Sequence, residues 1–367
     1  MRPDVNRCFQ QNGWLITVIA LIAICGSGGM ARSQQAAANL FVISISGDVE
    51  PGMAAFLKRA LNDVPDTSDT VIVVEMDTFG GRVDSALEMV DDLLNVKNAK
   101  TIAFVTNKAI SAGALISLAC NQLVMKNNTT IGDCAPITFT NEGPKIMGEK
   151  FQSPLRAKFR TLAKRNGYPA VLAESMVTAD MEVYRVKLDG NLIFMDAQEY
   201  QDLGKEQQAR ITHKKTVVAK GELLTMDDTE ARDLGFSSMS VAGFEEMLKQ
   251  LDLSDRSVTR VEESWSEILV SLIGKLSPVL MLIGLGSLYT EIKAPGFGVP
   301  GVVGILCLSL VFFNQYLVGL ANYTELLIVG IGVVLMGFEL FVLPGFGIAG
   351  IAGIISITVG LLLSLQD

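Results

Sequence analysis

The sequence contains very few of the residues that bind metal ions or build disulfide frameworks. Of its 367 residues one is histidine, His213, and five are cysteines, of which only Cys120 and Cys134 fall in the polar central part. These counts exclude a structural zinc site and a two-histidine catalytic metal site, and we expect no cofactor. Positive charge is also scarce: 30 Lys and Arg stand against 39 Asp and Glu, giving a net charge of −9. A surface built to bind the phosphate backbone of nucleic acid is therefore excluded.

Charged residues almost disappear after Trp265. From Ser266 to Asp367 only seven side chains are charged, whereas in the preceding part the share is the roughly one in four of soluble domains. Four apolar stretches in this region are long enough to cross a bilayer. They lie at 268–289, 299–317, 326–342 and 348–365. We predict an all-α transmembrane helical bundle of four helices over 266–367, embedded in the lipid bilayer.

The apolar region also contains an internal repeat. Pro-Gly-Phe-Gly begins at Pro295 and again 49 residues later at Pro344, each time shortly after an acidic residue, Glu291 or Glu339. This pattern indicates a duplicated helical hairpin. Acidic residues near interrupted membrane helices are also found at transporter sites, so transport is an alternative to a purely structural role for the repeat.

The first 33 residues are typical of an export signal. Arg2 and Arg7 precede an apolar run from Trp14 to Cys25, and small residues follow it. The run is shorter than the roughly 20 residues that a membrane span needs, and an uncleaved anchor is the alternative. Both interpretations predict a multi-pass membrane protein whose next domain lies on the extracytoplasmic side, periplasmic or extracellular.

The polar half of the chain alternates short strands with amphipathic helices. Runs rich in β-branched residues lie at 40–46, 71–77 and 101–106, and apolar residues at helical spacing lie between them, at 54–61 and 83–94. Strands alternating with helices of this length predict βαβ units and a mostly parallel sheet. The fold class is therefore α/β for this half of the chain.

The rest of the polar half has weaker signals. We expect a helix at 153–174 and a last helix at 241–251. Short strands are expected at 183–186, 192–194 and 215–218. We assign 39–250 to one domain and 251–265 to a linker, because residues 254–263 are polar and have no apolar period.

Ser111 is the strongest candidate for a catalytic nucleophile. It follows the third predicted strand and begins an apolar helix of small residues. A hydroxyl at a helix N-terminus lies beside unpaired N–H groups, and those of Gly81 and Ala112 would stabilise a developing oxyanion. Serine is also a common helix N-cap, and this structural role is the alternative.

The usual base for a catalytic serine is missing, because the single histidine, His213, lies in a polar stretch that we expect to be exposed. A lysine can replace it where burial or neighbouring groups favour the neutral amine. The sequence alone leaves several lysines open as the base. The candidates are Lys126, Lys145, Lys150, Lys158 and Lys164.

Four motifs together resemble the NfeD family of membrane-bound serine proteases. They are Asp77 to Arg82, Ala109 to Gly113, Thr130 to Ile137 and Gly221 to Met226. With the paired Pro-Gly-Phe-Gly hairpins they cover most of the chain from Leu40 onward. The resemblance implies a ClpP/crotonase-like serine protease domain, the fold also found in signal peptide peptidase A, followed by the membrane region.

The resemblance also implies a Ser/Lys dyad. Ser111 is the nucleophile, and Lys150, at the start of the helix after the Gly-x-x-x-Pro-Ile segment, is the base; Lys145 is its rival. Gly80, Gly81 and Ala112 then form the oxyanion hole and hold the substrate backbone as an added strand. The implied substrates are hydrophobic peptides, the implied partner is a stomatin-like membrane protein, and we expect a homo-oligomer, a dimer or larger.

Three departures from the family pattern keep a second function open. Phe79 replaces a proline, Asp133 replaces a small residue, and we expect no OB-like domain after the last helix, which ends near Asp367. A catalytically inactive membrane scaffold that binds stomatin-like proteins is therefore the alternative. An acyl-CoA enzyme of the crotonase type fits less well, because the domain is expected outside the CoA-containing compartment.

Overall fold

The structure, a computed structural model, describes residues 40–140, 142–293, 298–317, 323–341 and 347–363. The predicted export signal lies outside these residues. The strands are β1 (Leu40–Val49), β2 (Val71–Gly81), β3 (Lys100–Ile110), β4 (Gln122–Lys126), β5 (Thr130–Gly132), β6 (Ile137–Thr140), β7 (Gly143–Ile146), β8 (Val183–Leu188), β9 (Asn191–Asp196), β10 (Ile211–Val218), β11 (Thr225–Asp227), β12 (Ser240–Val241) and β13 (Val258–Val261).

The helices alternate with these strands in the first half of the chain and follow them in the second. They are α1 (Pro51–Asp63), α2 (Val83–Asn95), α3 (Ala112–Ala119), α4 (Glu149–Asn166), α5 (Ala170–Ser175), α6 (Ala197–Asp202), α7 (Lys205–Ala209), α8 (Asp228–Asp233), α9 (Phe244–Gln250), α10 (Trp265–Lys293), α11 (Val299–Leu317), α12 (Tyr323–Phe341) and α13 (Ile348–Leu363).

The soluble part is built on one mostly parallel sheet, which confirms the predicted α/β class. Its strand order is β11-β5-β3-β2-β1-β13, with β4 on the first half of β3 and β12 on β4. The central strands are nearly continuous apolar runs, as in sheets covered on both faces. Residues such as Met76, Leu57 and Phe159 form the larger core with α1 to α5, while Val73 and Phe104 pack against α9 on the other face.

Three predicted elements differ in the structure. The helix predicted at 153–174 is two helices, because Gly167 ends α4 in the left-handed conformation at φ 76° and Pro169 follows it. The predicted linker contains β13, which pairs in parallel with the first residues of β1. The first three strands are also longer than predicted, so both glycines of the pair lie inside β2 rather than after it.

The membrane region consists of two helical hairpins, as the internal repeat predicts. Helix α10 packs on α11, and α12 packs on α13. Among the described residues, Trp265–Glu291 and Val299–Leu317 are long and apolar enough to cross a membrane, and the apolar stretches Leu327–Glu339 and Ile348–Gly360 are shorter. A count of four spans stays a prediction.

The two acidic residues of the repeat have the same role in each hairpin. Glu291 accepts hydrogen bonds from the backbone N–H groups of Gly298 and Gly301, both at 2.9 Å. Glu339 accepts equivalent bonds from Gly347 and from Gly350, the latter at 3.2 Å. Each carboxylate therefore satisfies N–H groups at the start of the next helix, which supports the structural role over a transport site.

Candidate active site

Ser111 occupies a strained turn between β3 and α3. Its backbone angles are φ 55° and ψ −117°, a combination that costs a non-glycine residue on the order of 1–3 kcal/mol. The turn is held by hydrogen bonds from the Ser111 N–H to the Gly132 carbonyl at 2.9 Å and from the Ala114 N–H to the Ser111 carbonyl at 3.1 Å. Strain of this kind persists only where the surroundings impose it, and it is concentrated at functional sites.

The Ser111 hydroxyl does not cap its helix. Ser111 is the N-cap residue of α3, yet its side chain makes no capping hydrogen bond. Within the described residues the hydroxyl has no other protein partner, and the residue is half-buried. The capping role considered from the sequence is therefore not observed, and the hydroxyl is available for chemistry.

The predicted oxyanion residues lie beside this turn. Gly80 is at φ 106° and packs so closely that an added Cβ would lie 2.6 Å from the Cβ of Ser111. The Gly80 N–H donates a hydrogen bond to the Thr78 hydroxyl at 2.9 Å, and this bond holds the glycine pair in place. Ala112 is the first residue of α3, where N–H groups have no intrahelical acceptor.

A small apolar pocket opens next to the Ser111 side chain. Its lining includes one glycine of the pair, Gly81, and residues from α2, α3 and α4. The residues are Gly81, Val83, Ala86, Ser111, Ala112, Leu115, Cys134, Pro136, Leu155 and Phe159. Burial raises the pKa of the Cys134 thiol well above its usual value, so Cys134 is a neutral wall residue rather than a competing nucleophile.

The structure does not join either of the two predicted bases to the serine. Lys150 is the second residue of α4, the helix that supplies Leu155 to the pocket, and its side chain is exposed. Lys145 lies in the β6–β7 hairpin, opposite Thr138, and is also exposed. In the part of the chain that the structure describes, neither lysine forms a hydrogen bond with Ser111 or an ion pair with an acidic residue.

Other cations around the site are already engaged. Lys108, three residues before Ser111, forms an ion pair with Asp77 at 3.2 Å, and its ammonium lies 4.2 Å from the centre of the Phe79 ring. Lys158 forms an ion pair with Asp91 at 2.6 Å. Of the lysines proposed from the sequence, Lys158 is therefore a poorer candidate for the base than a lysine without an ion pair.

The sequence did not reveal the cluster of Lys108, Asp77 and Phe79, nor the pocket walls from α4. Asp77 and Lys108 each follow an apolar run of a neighbouring strand, but the register that joins the two side chains is not marked in the sequence. Among the described residues no group of three or more His, Cys, Asp or Glu could hold a metal ion.

Comparisons with known proteins identify the family of this chain. Residues 39–218 match the family described as NfeD1b, N-terminal domain, and residues 275–367 match the NfeD integral membrane domain. The chain belongs to the NfeD family. It is accordingly a membrane protein with a mixed α/β domain before its membrane helices.

Two curated relatives are similar over most of this chain. Membrane protein NfeD1b of Bacillus subtilis is 26% identical over 334 residues, which are 90% of this chain and 69% of the relative. Membrane-bound protease PH1510 of Pyrococcus horikoshii is 24% identical over 287 residues, 76% of this chain and 58% of the relative. The chain thus spans about two thirds of the length of the first and less of the second.

Among solved structures, a lysine-to-alanine mutant of the 1510-N membrane-bound stomatin-specific protease in complex with a substrate peptide is similar to the α/β domain. It is 20% identical, with a TM-score of 0.48, and the match covers 65% of this chain and 98% of that one.

Proposed function

We propose that this NfeD-family chain is a membrane-anchored serine endopeptidase in which Ser111 is the nucleophile and Lys150 the general base. The observation that carries the proposal is the conformation of Ser111. Its backbone is strained, and its hydroxyl does not cap α3 and lies beside an apolar pocket. A relative named as a membrane-bound protease supports the same reaction class.

The proposed reaction uses the Ser111 Oγ to attack a peptide carbonyl carbon while Lys150 accepts the hydroxyl proton. The oxyanion is held by the N–H groups of Gly81 and Ala112. When the C–N bond breaks, the lysine ammonium returns the proton to the leaving amine and an acyl-enzyme remains. A water molecule then gives a proton to the same lysine and attacks the ester carbon; the bond from this carbon to the Ser111 Oγ breaks, the Oγ takes the proton back from the lysine, and the carboxyl product leaves.

The exposed apolar residues around the site support hydrophobic peptides as substrates. Phe79 is 71% exposed and directly precedes Gly80. Ile137 and Ile146 are paired at the base of the β6–β7 hairpin, and Phe151 is in the first turn of α4; all three are exposed. Exposed apolar side chains are unfavourable in water, and an apolar peptide segment of a substrate would cover them.

We further propose that the substrate is a segment of a stomatin-like membrane protein, because a related structure is described as stomatin-specific. A homo-oligomer, four membrane spans and a protease domain on the extracytoplasmic side belong to the same proposal. One observation favours the alternative of an inactive scaffold: in the described residues no lysine forms a hydrogen bond with the Ser111 hydroxyl.

Labelling with a fluorophosphonate probe, followed by intact mass, tests the proposal on the full chain in detergent. We expect one adduct on the wild type and none on Ser111→Ala or Lys150→Ala. Lys164→Ala is the matched control on the same helix, because Lys164 is exposed and in the last turn. It should label like the wild type.

The other outcomes are equally informative. Labelling of Lys150→Ala together with loss in Lys145→Ala would transfer the base role to Lys145. If the folded wild type takes no adduct and cleaves no hydrophobic peptide, the chain is the scaffold.

A further inference from the structure

The pocket beside Ser111 has room for a single methyl group. Its volume is about 20 Å³, and a cavity needs roughly 10–15 Å³ to admit one water molecule, which is close in size to a methyl group. Leu155 and Phe159, which line it from α4, are both buried, and Phe159 is 0% exposed. The pocket therefore ends against the Phe159 ring and does not continue into a deeper channel.

Polar contacts to three neighbouring helices hold this wall in place. Arg160 forms a bidentate ion pair with Glu174 on α5, with distances of 2.6 and 2.7 Å. Lys158 forms an ion pair with Asp91 on α2 at 2.6 Å. The Asn166 side chain donates two hydrogen bonds to backbone carbonyls at the end of α3, at 2.8 and 2.9 Å. A larger group could enter the pocket only by displacing Phe159 or the helix that carries it.

The lining of the pocket admits apolar groups only. None of the described residues that line it is charged. Its polar side chains are Ser111, the proposed nucleophile, and Cys134, whose thiol donates a hydrogen bond to the Ser111 carbonyl at 3.4 Å. A charged or amide side chain would lose its hydrating water here without gaining a partner, which is costly.

The same pocket lies where one particular substrate side chain has to go. Ser111, Gly81 and Ala112 all line it, and in the proposed reaction these three residues contact the carbon and the oxygen of the scissile carbonyl. The Cβ atom of the residue that contributes this carbonyl is only two bonds away from the carbonyl carbon. The nearest cavity that can take this side chain is therefore the methyl-sized pocket.

We propose that this pocket selects alanine as the residue whose carbonyl Ser111 attacks, and that Phe159 is the specificity-determining residue. Glycine leaves the pocket empty, and side chains larger than a methyl group meet the Phe159 ring. The larger apolar residues of a hydrophobic substrate occupy the flanking positions, along exposed side chains such as Phe79 and Phe151. This inference rests on the proposed function, because it assigns a substrate residue to the same site.

Probes that carry one amino acid side chain beside a reactive phosphorus test this proposal. Four α-aminoalkyl fluorophosphonates, with the side chains of glycine, alanine, leucine and phenylalanine, are reacted with the full chain in detergent. Intact mass gives the rate at which each forms an adduct. We expect the alanine probe to react about fourfold faster than the glycine probe, the gain from burying one methyl group. It should react at least about tenfold faster than the leucine and phenylalanine probes.

Variants of the pocket wall assign the preference to Phe159. Phe159→Ala enlarges the pocket and should raise the ratio of the leucine rate to the alanine rate at least about tenfold. Leu162→Ala is the matched control, because it truncates another fully buried residue of α4 that does not line the pocket. It should leave the ratio unchanged. Ala86→Val narrows the pocket from α2 and should make the glycine probe faster than the alanine probe, which decides the matter even if Phe159→Ala fails to fold.

The probes also separate this inference from the proposed function. A simple alkyl fluorophosphonate has no amino acid side chain and reports on the Ser111 nucleophile alone. If it labels the wild type while the leucine or phenylalanine probe reacts fastest, the serine is active and the pocket assignment is wrong. The same holds if Phe159→Ala and Ala86→Val keep the wild-type order of rates. If no probe labels the folded wild type, the proposed function fails and the pocket selects no substrate residue.

Discussion

Gly80 and Ser111 are in direct contact, with no room for a side chain at position 80. A Cβ added there would lie 2.6 Å from the Ser111 Cβ and 3.1 Å from the Ala112 nitrogen. The glycine therefore allows β2 to approach the turn that carries the proposed nucleophile. Because the contact reaches both Ser111 and Ala112, it sets the distance between the hydroxyl and the proposed oxyanion donors.

We expect Gly80→Ala to reduce probe labelling of Ser111 at least about tenfold, since a displacement of about 1 Å is enough to lose that factor or more. Stability should fall by about 1–3 kcal/mol from the clash and from the positive φ. Gly190→Ala is the matched control, because Gly190 also has a positive φ of 85° but nothing within 4 Å. Normal labelling of Gly80→Ala would show that the contact does not position the site.

Because the Ser111 turn is strained, replacing Ser111 by glycine should abolish activity and yet give a more stable protein than replacing it by alanine. Glycine adopts φ 55° and ψ −117° without steric cost, whereas alanine does not. Ser111→Gly and Ser111→Ala should both be inactive. The glycine variant should be more stable than the alanine variant by about 1 kcal/mol, or roughly 2–4 °C in Tm.

Thermal unfolding of the full chain in detergent measures this difference. Ser254 is a suitable control because it is exposed and is not among the residues with positive φ. There the glycine variant should be no more stable than the alanine variant. Equal Tm values for the two Ser111 variants would mean that the turn is not strained in the protein.

The sequence predicted the central strands and the helix that begins after Ser111 because these are marked by local patterns. It did not predict β13, since Val258–Val261 is short, half polar and pairs with Leu40–Ile43 far away in the chain. The pairing of Asp77 with Lys108 depends on a shift of register between β2 and β3 after Met76, which no local pattern specifies. The sequence does not identify the base for a similar reason. Lys150 is on α4, and the distance between α4 and Ser111 depends on contacts between distant parts of the chain.

Glu339 offers a test of the duplicated hairpins. Glu339→Ala removes the acceptor for the Gly347 and Gly350 N–H groups, and we expect a loss of about 1–3 kcal/mol. Glu339→Gln keeps one acceptor oxygen and should lose less. Glu291→Ala should behave like Glu339→Ala, since its contacts are the same. Wild-type thermal stability of both alanine variants would contradict a capping role and reopen the question of transport.

Asp66 makes the stability of the α/β domain depend on pH. Its carboxylate accepts backbone hydrogen bonds from Ala99 and Asn98, both at 2.8 Å, and from Lys97 at 3.1 Å. These bonds lower the pKa of Asp66 below its ordinary value of 3.8. Because the folded-state pKa is depressed, the stabilisation is present above the ordinary pKa and is lost as the pH falls through the lowered value.

We therefore expect Asp66→Asn to have a lower Tm than the wild type at neutral pH and the two to converge as the pH falls below 3.8. Thermal unfolding of both proteins from pH 7 to about pH 2.5 checks this. Asp180→Asn is the control, because Asp180 is exposed and accepts no hydrogen bond among the described residues; it should follow the wild type throughout. A Tm difference for Asp66→Asn that does not change with pH would show that the negative charge of Asp66 does not contribute to the stabilisation.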